Sequence, residues 1–443
     1  MHRRSFIQQS GTVLAGTLVA PNILAASAPA AKKRVAMVGT GVRGIGMWGK
    51  PVIREFADQV EFVGLCDINP GRVETGKSMM QLKCPTYTDF DKMMKEAKPE
   101  ILVVTTVDAT HHELIIKGME YGADIVTEKP MTIDENKCQA ILDAEQRTGK
   151  KVMVTFNYRY SPHRQKIYEL LRANAIGKIT SVDFHWYLDV HHGADYFRRW
   201  HRLRDKAGTL LVHKSTHHFD LLNWWLESDP EEVYAYGDLE FYGKNNSFRH
   251  THCRPCPHKD KCKFYWDITK DPNLVKLYVD NEKHDGYHRD GCVWREDIDI
   301  FDKMAVQIKY ANNVQVSYSL TTYSPYEGYR IAFNGTKGRV EAWVKERQPW
   351  EEEPFDEIHL TDNFGKRQTI RIPNDEAGHG GGDIRLRKQI FSPDGKDPYR
   401  QAAGSRDGAM SVLVGIAARN SIDTGKPVKI ESLTSLKPQK ARV

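Results

Sequence analysis

Arg34-Val35-Ala36-Met37-Val38-Gly39-Thr40-Gly41-Val42-Arg43-Gly44 is the stretch that decides the fold. Its first half reads as a buried strand. Its second half is G-x-G-x-x-G, placed between that strand and a helical pattern. In this motif the first glycine allows a tight turn and the second lets backbone approach a pyrophosphate. The third lets the helix pack on the strand, and the helix N-terminus offers free N–H groups to phosphate. Alone the motif is weak. Here a second strand, Val60-Glu61-Phe62-Val63-Gly64-Leu65, ends at Cys66-Asp67. Asp67 follows Gly44 at about the 20-residue distance where a carboxylate takes the ribose hydroxyls of NAD. Its charge would repel a 2′-phosphate, which favours NAD over NADP. Arg72 reads as a solvated arginine at a helix start, with a phosphate or adenine contact as the alternative.

The alternation continues outward. A helical segment from Asp89 to Ala97 precedes Ile101-Leu102-Val103-Val104-Thr105-Thr106, a continuous apolar run of parallel-strand type. Thr110-His111-His112-Glu113 opens another helix. The strand Ala123-Asp124-Ile125-Val126 then leads into Thr127-Glu128-Lys129-Pro130, and a helix from Asp134 to Arg147 and the strand Val152-Met153-Val154-Thr155 close the unit. Residues 31–155 thus read as a doubly wound dinucleotide-binding domain. Ligands of such sheets bind at the carboxyl ends of strands. A charge held there is costly without partners or a task. Lys129 is therefore the candidate to meet both cofactor and substrate, against the plainer reading of a surface pair before a turn.

Composition sets bounds. A chain of 443 residues can bury a sizeable core and divides into two domains by length. The net charge of +6 comes from interspersed signs with no long basic run, which argues against nucleic acid as a partner. No apolar run reaches membrane-span length. Arg3-Arg4, Ser5-Phe6-Ile7, the small and apolar stretch from Gly11 to Ala20, and Ala28-Pro29-Ala30 read together as an export signal over residues 1–30. The arginine pair resembles a twin-arginine signal, which delivers folded protein to the periplasm. An uncleaved N-terminal anchor is the alternative.

Residues 156–443 read differently. Period-two alternation in 181–187, 304–310 and 314–320 gives strands with one packed face, and Ala311-Asn312-Asn313 joins the last two as a hairpin. His213 and His217 are four apart and would share one face of a helix, with Asp220 close to it. An imidazole suits proton removal from an alcohol. Binding of a divalent cation by His213, His217 and Asp220 is the alternative, and satisfied core histidines are the plain one. The polar, aromatic run 189–201 reads as a long loop lining a substrate cleft, with Trp186, Tyr196, Arg199 and Trp200 as contacts, or as an ordinary well-hydrated loop. His379-Gly380-Gly381-Gly382-Asp383 lets backbone approach a ligand, or serves as a linker. Residues 248–296 form an insert poor in aliphatic residues. Its Cys253, Cys256, Cys262 and Cys292 suit a structural zinc site or an iron–sulfur cluster, with His252 and His258 as substitute ligands. Two disulfides are the alternative in an exported protein.

The combination resembles the Gfo/Idh/MocA family of sugar and polyol oxidoreductases. The residues that carry it are the glycine loop, Asp67, Thr106-Val107-Asp108-Ala109-Thr110-His111, Glu128-Lys129-Pro130, Asn157-Tyr158-Arg159-Tyr160, and Gly335-Thr336-Lys337-Gly338 with Glu341. The resemblance implies a Rossmann domain followed by an α+β domain with a large open, mainly antiparallel sheet. It implies cofactor contacts at Gly39, Gly41, Val42, Arg43, Gly44, Asp67, Thr106, His111, Glu128 and Lys129. Substrate contacts fall to Tyr158, Arg159, Trp186, Arg199, His213, His217 and Asp220. Lys129 would lie beside the nicotinamide and touch the substrate hydroxyl, with a cis bond before Pro130. Many relatives carry Asp at the place of His213 and a general acid/base His at the place of His217. His213 is the main departure. The expected activity is an exported NAD-dependent oxidation of a ring hydroxyl, C3 by preference, of a sugar or glycoside. Lys129, His217 and His213 are the catalytic candidates, and the cofactor is retained. The rivals are a glycosidase working by transient C3 oxidation and elimination, and a non-catalytic sugar-binding protein. An open sheet face points to a homo-oligomer.

Overall fold

The computed structural model describes residues 31–375, 378–392 and 396–442. The export-signal expectation for residues 1–30 lies outside them. Six strands form the first sheet: β1 (Lys33–Val38), β2 (Val60–Cys66), β3 (Thr86–Tyr87), β4 (Ile101–Val104), β5 (Asp124–Thr127) and β6 (Val152–Val154). All pairings are parallel and the order is β3-β2-β1-β4-β5-β6. The order reverses beside β1, so the glycine loop and the ends of β4 and β5 open on one crevice. Every residue of β4 is buried, as the apolar run requires of a strand covered on both faces. Helix starts follow side-chain caps. Asn69, Asp89 and Asp134 accept the backbone N–H of Arg72, Lys92 and Lys137. The expected helix from Asp134 therefore runs over Glu135–Thr148, with Asp134 as its cap.

Nine strands form the second sheet: β7 (Ile179–Asp189), β8 (Pro230–Asp238), β9 (Lys303–Tyr310), β10 (Gln315–Ser324), β11 (Glu327–Gly335), β12 (Gly338–Arg347), β13 (Phe355–Asp362), β14 (Arg367–Pro373) and β15 (Val428–Lys429). The order is β14-β13-β12-β11-β7-β10-β9-β8-β15. The central β7–β10 pair is parallel and the other pairs are antiparallel. β9 and β10 form the expected hairpin, alternating buried and wet residues, with Asn313 in the left-handed region at φ 68°. The buried side packs on the helix Ser215–Leu226, in which every residue is buried. The helix Ser405–Thr424 ties the two lobes. It packs on β8 and on Ser215–Leu226, while Gly404 bridges to Met153 beside it.

Two segments depart from the sequence reading. The run 189–201 is no loop: Val190–Arg198 is a helix, capped by Asp189, which accepts the N–H of His191 and His192. The Asp cap was the available signal. His213 and His217 do not share one continuous helix either. His213 closes a short helix, Leu210–His213, and Lys214 separates it from Ser215–Leu226.

Candidate active site

At the glycine loop, Gly39 has φ 91°, and a Cβ there would meet the Thr105 carbonyl oxygen at 2.6 Å. A Cβ on Gly44 would stand 2.4 Å from the Gly39 carbonyl oxygen. Both positions admit glycine alone, as the motif demands. Asp67, 6% exposed at the end of β2, accepts Thr40 N–H at 2.8 Å and Asn69 N–H at 3.0 Å. These donors hold a carboxylate facing the loop, so the residues present fit NAD. Arg72 is not the solvated arginine of the sequence reading. It bridges Asp67 at 3.3 Å and Asp285 at 2.6 Å.

Beyond β5, the peptide bond between Lys129 and Pro130 is cis. Glu128 accepts Arg43 Nε–H at 2.6 Å and Trp48 Nε1–H at 2.8 Å, which pins this turn to the glycine-loop helix. His111 places Nδ1 at 2.8 Å from the Pro130 carbonyl and Nε2 at 3.2 Å from the Thr106 carbonyl. Thr106 bonds Thr110 through its hydroxyl at 2.8 Å. Glu128 Oε1 and both ring nitrogens of His111 thus serve the turn that carries Lys129. Lys129 is half-buried and donates from Nζ to the His213 carbonyl at 3.3 Å. Burial pulls its ammonium down to about 8, against Asp108 and Glu128, which hold it up.

The sequence reading left Asp108 without a role. It lies in the turn Asp108–Thr110 after β4, and its Oδ2 stands 2.5 Å from His213 Nδ1. The His213 imidazole thus meets a carboxylate supplied from the other lobe. Burial dominates both partners, pushing the Asp108 carboxyl well above its usual range and the His213 imidazole well below. One proton between Nδ1 and Oδ2 satisfies the pair.

His217 has other neighbours. Its ring stacks on Tyr158 at 4.2 Å and 15°, and its Nδ1 is buried with no hydrogen-bond partner among the described residues. Burial, then Lys129 and Lys214, hold this imidazole well below its usual range. Tyr158 accepts a hydrogen bond from Lys214 Nζ at 2.9 Å. Lys214, 3% exposed, is a second buried lysine that the sequence reading passed over. His379 comes within 5.8 Å of the Tyr158 ring and bonds Asp383 at 3.0 Å. Burial raises the Asp383 carboxyl, but His379, Arg43 and Asn157 together hold it down at about 2. The glycine run at 380–382 therefore brings a polar pair to the cleft.

Four expected substrate contacts are engaged within the protein. Arg159 and Asp220, 2% and 0% exposed by side chain, form a two-point ion pair at 2.8 and 2.5 Å, and Arg159 also reaches Asp407 at 3.0 Å. This pair is part of the core behind the site, and it removes Asp220 from any cation site with the histidines. Breaking such a pair from one side costs about 3–5 kcal/mol. Arg159→Ala is expected to lower the urea midpoint steeply while KM of the folded fraction stays unchanged. A raised KM at unaltered stability would return Arg159 to the substrate. Trp186 is fully buried between His218 at 3.9 Å and Tyr329 at 4.9 Å, so it supports the floor of the site. Arg199 pairs with Asp195 at 2.5 Å, and its charge bears on both Asp108 and His213.

In the insert, Cys253, Cys256, Cys262 and Cys292 line one small cavity and form no disulfide. Their sulfurs are not drawn into a ligand shell. Among the described residues, the set of three metal-binding atoms within 4.8 Å of one another is Glu282, His288 and Asp290. Arg254 already donates to Asp290 at 3.0 Å and to Glu282, so the chain supplies its own cation there. His252, named as a substitute ligand, stacks on His288 at 4.2 Å. No helix of the described residues is long and apolar enough to cross a membrane.

Two family profiles match. One, described as the NAD-binding Rossmann fold of an oxidoreductase family, covers residues 33–156. The other, the C-terminal alpha/beta domain of the same family, covers residues 168–430. YteT of Bacillus subtilis (strain 168), named by class as an oxidoreductase, is 38% identical over 424 residues, or 90% of this chain and 98% of YteT. Inositol 2-dehydrogenase of Salmonella typhimurium is 24% identical over 208 residues, 44% of this chain and 56% of that protein. The aldose-aldose oxidoreductase of Caulobacter crescentus has a TM-score of 0.61 at 16% identity, covering 90% of this chain and all of that one. A levoglucosan dehydrogenase solved with NADH and levoglucosan has a TM-score of 0.65 at 18% identity, with the same coverage. A glycine loop set before an Asp-bearing strand, a cis Lys-Pro turn and the open mixed sheet agree with these profiles, and the chain belongs to the Gfo/Idh/MocA oxidoreductase family, with its NAD-binding Rossmann fold.

Proposed function

We propose that the protein is an NAD-dependent dehydrogenase of a sugar or glycoside that oxidises a ring hydroxyl, C3 by preference, and keeps its cofactor bound. The observation that carries this reading is the position of Lys129. It stands at the end of β5, pinned to the glycine-loop helix through Glu128 and hydrogen-bonded to the first turn of the His-bearing segment. NAD, when bound, accepts the hydride. The Lys129 ammonium donates to the hydroxyl oxygen of the substrate and steadies the charge that develops there. A neutral imidazole takes the hydroxyl proton. His217 is the acceptor, with its buried Nδ1 lacking a partner among the described residues, and the His213–Asp108 pair holds the adjoining turn and a shared proton. The Tyr158 ring stacked on His217 keeps that imidazole in place. Cyclic polyol and sugar substrates in the names of inositol 2-dehydrogenase, levoglucosan dehydrogenase and aldose-aldose oxidoreductase support the substrate class.

A glycosidase working through the same oxidation is the second reading. A stretch 29% identical over 156 residues to a glycosyl hydrolase family 109 protein of Akkermansia muciniphila favours it, though it spans 33% of this chain and 32% of that protein. Glycosides deuterated at C3 separate the two. A keto-glycoside with deuterium on the nicotinamide supports the dehydrogenase. Released sugar that keeps its C3 deuterium and exchanges hydrogen at C2 supports the glycosidase. No deuterium on the dinucleotide at any stage overturns both.

Export by the twin-arginine route to the periplasm and a homo-oligomer formed through the open sheet face belong to the same proposal. Fractionation and light scattering test them in turn. Cytoplasmic retention or a monomer would overturn each.

A further inference from the structure

The insert does not stay on its own lobe. Its helix Pro272–Leu277 and the turns Val279–Asn281 and Glu282–Asp285 lie against the Rossmann helix Pro70–Met80. Leu277 and Tyr278 are buried in the same apolar cluster as Val35, Met37 and Trp48. The polar contacts of this strap land on the parts of the crevice that would hold a dinucleotide. The Tyr278 hydroxyl accepts the Val42 N–H at 3.1 Å, which fastens the strap to the glycine loop. The Asn281 carbonyl accepts Asn69 Nδ2–H at 2.9 Å, and Asn69 in turn holds Asp67. Asp285 takes one end of the Arg72 guanidinium at 2.6 Å while the other end reaches Asp67 at 3.3 Å. The fit is close: a Cβ on Gly71 would stand 1.8 Å from Asn281 Oδ1. The far end of the strap is fastened by Arg254, which bonds Asp290 and Glu282, and by Arg198, which donates to the Gly291 carbonyl at 3.2 Å.

We propose that residues 272–289 are a clasp that completes the dinucleotide site from the second lobe, through Tyr278, Asn281 and Asp285. The inference rests on the NAD reading above and adds two properties to it. The first is retention. The clasp crosses the glycine loop and the ribose end of the crevice, so the adenosine-diphosphate half of the cofactor enters and leaves only when the strap lifts. The second is selectivity. Asp285 and Asp67 together engage the Arg72 guanidinium, so a 2′-phosphate brought to it would meet two carboxylates. The clasp therefore favours a dinucleotide without that phosphate.

The test uses the full chain loaded with NADH and chased with excess NAD, with release followed by nicotinamide fluorescence. Gly71→Ala should release NADH at least about tenfold faster, a change of about 1.4 kcal/mol, although alanine favours the helix itself. Asp285→Ala should also speed release and narrow the preference for NAD over NADP by a similar factor. Its carboxylate lies at the outer edge of the crevice, so this variant keeps the test open if Gly71→Ala does not fold. Wild-type release rates and an unchanged NAD/NADP ratio, in variants that melt like the wild type, would overturn the clasp. A wild-type chain that binds no dinucleotide would instead overturn the NAD reading beneath it.

Discussion

Lys129→Met is expected to lower kcat by about 10²–10⁴-fold, the range for loss of a positioned acid–base group, and to leave dinucleotide binding in place. Methionine preserves the length and apolar stem of the side chain, so the turn held by Glu128 and His111 keeps its shape. What is lost is the donor aimed at the reacting hydroxyl. The pH profile carries the sign. Burial brings the Lys129 ammonium down to about 8, so the donor is present below that pH and is lost above it. Burial and the neighbouring lysines hold His217 well below the usual histidine range, so the proton acceptor is neutral throughout the neutral range and becomes protonated only in more acidic solution. Oxidation should therefore rise from an acid limb below the ordinary histidine pKa and fall along an alkaline limb near pH 8. In Lys129→Met the alkaline limb disappears. An alkaline limb unchanged in the variant would assign that ionisation to another group.

The second large effect concerns the pair that joins the lobes. Asp108→Asn is expected to lower kcat by about 10²-fold, because an amide cannot share the His213 proton across the 2.5 Å contact. His213→Asp makes a sharper test. It sets a second carboxylate against Asp108 in a buried site. Two buried carboxylates at hydrogen-bond distance cannot both ionise, so this single change should be worse than Asp108→Asn. The double variant Asp108→Asn with His213→Asp removes the repulsion and should recover activity over His213→Asp alone. Simple additivity would show that the two side chains do not act as a unit.

The sequence carries the first lobe well, because its signals are local. Strands such as Ile101–Val104 are continuous apolar runs, helix starts are marked by Asn69, Asp89 and Asp134, and the glycines that need special backbone sit within one motif. The candidate site is legible as far as Lys129, which stands where strand ends gather. Partners are less legible, because they are long-range. Asp108 and His213 are 105 residues apart, Arg159 and Asp220 are 61 apart, and Tyr278 meets the glycine loop across 236 residues. Nothing in the local pattern separates an arginine that meets substrate from one that neutralises a core aspartate. The structure decides it by burying both members of the Arg159–Asp220 pair. The insert misled for the same reason. Its cysteines drew attention to a metal, while its polar residues 278–285 carry the contacts to the other lobe.

A retained nicotinamide dinucleotide is the central requirement of the proposed chemistry. The most direct measurement is to purify the full chain without added cofactor, denature it, and identify what is released by mass and absorbance. The account predicts NAD or NADH at close to one per chain, with no NADP. Release of no dinucleotide, or of NADP as the main species, would contradict it.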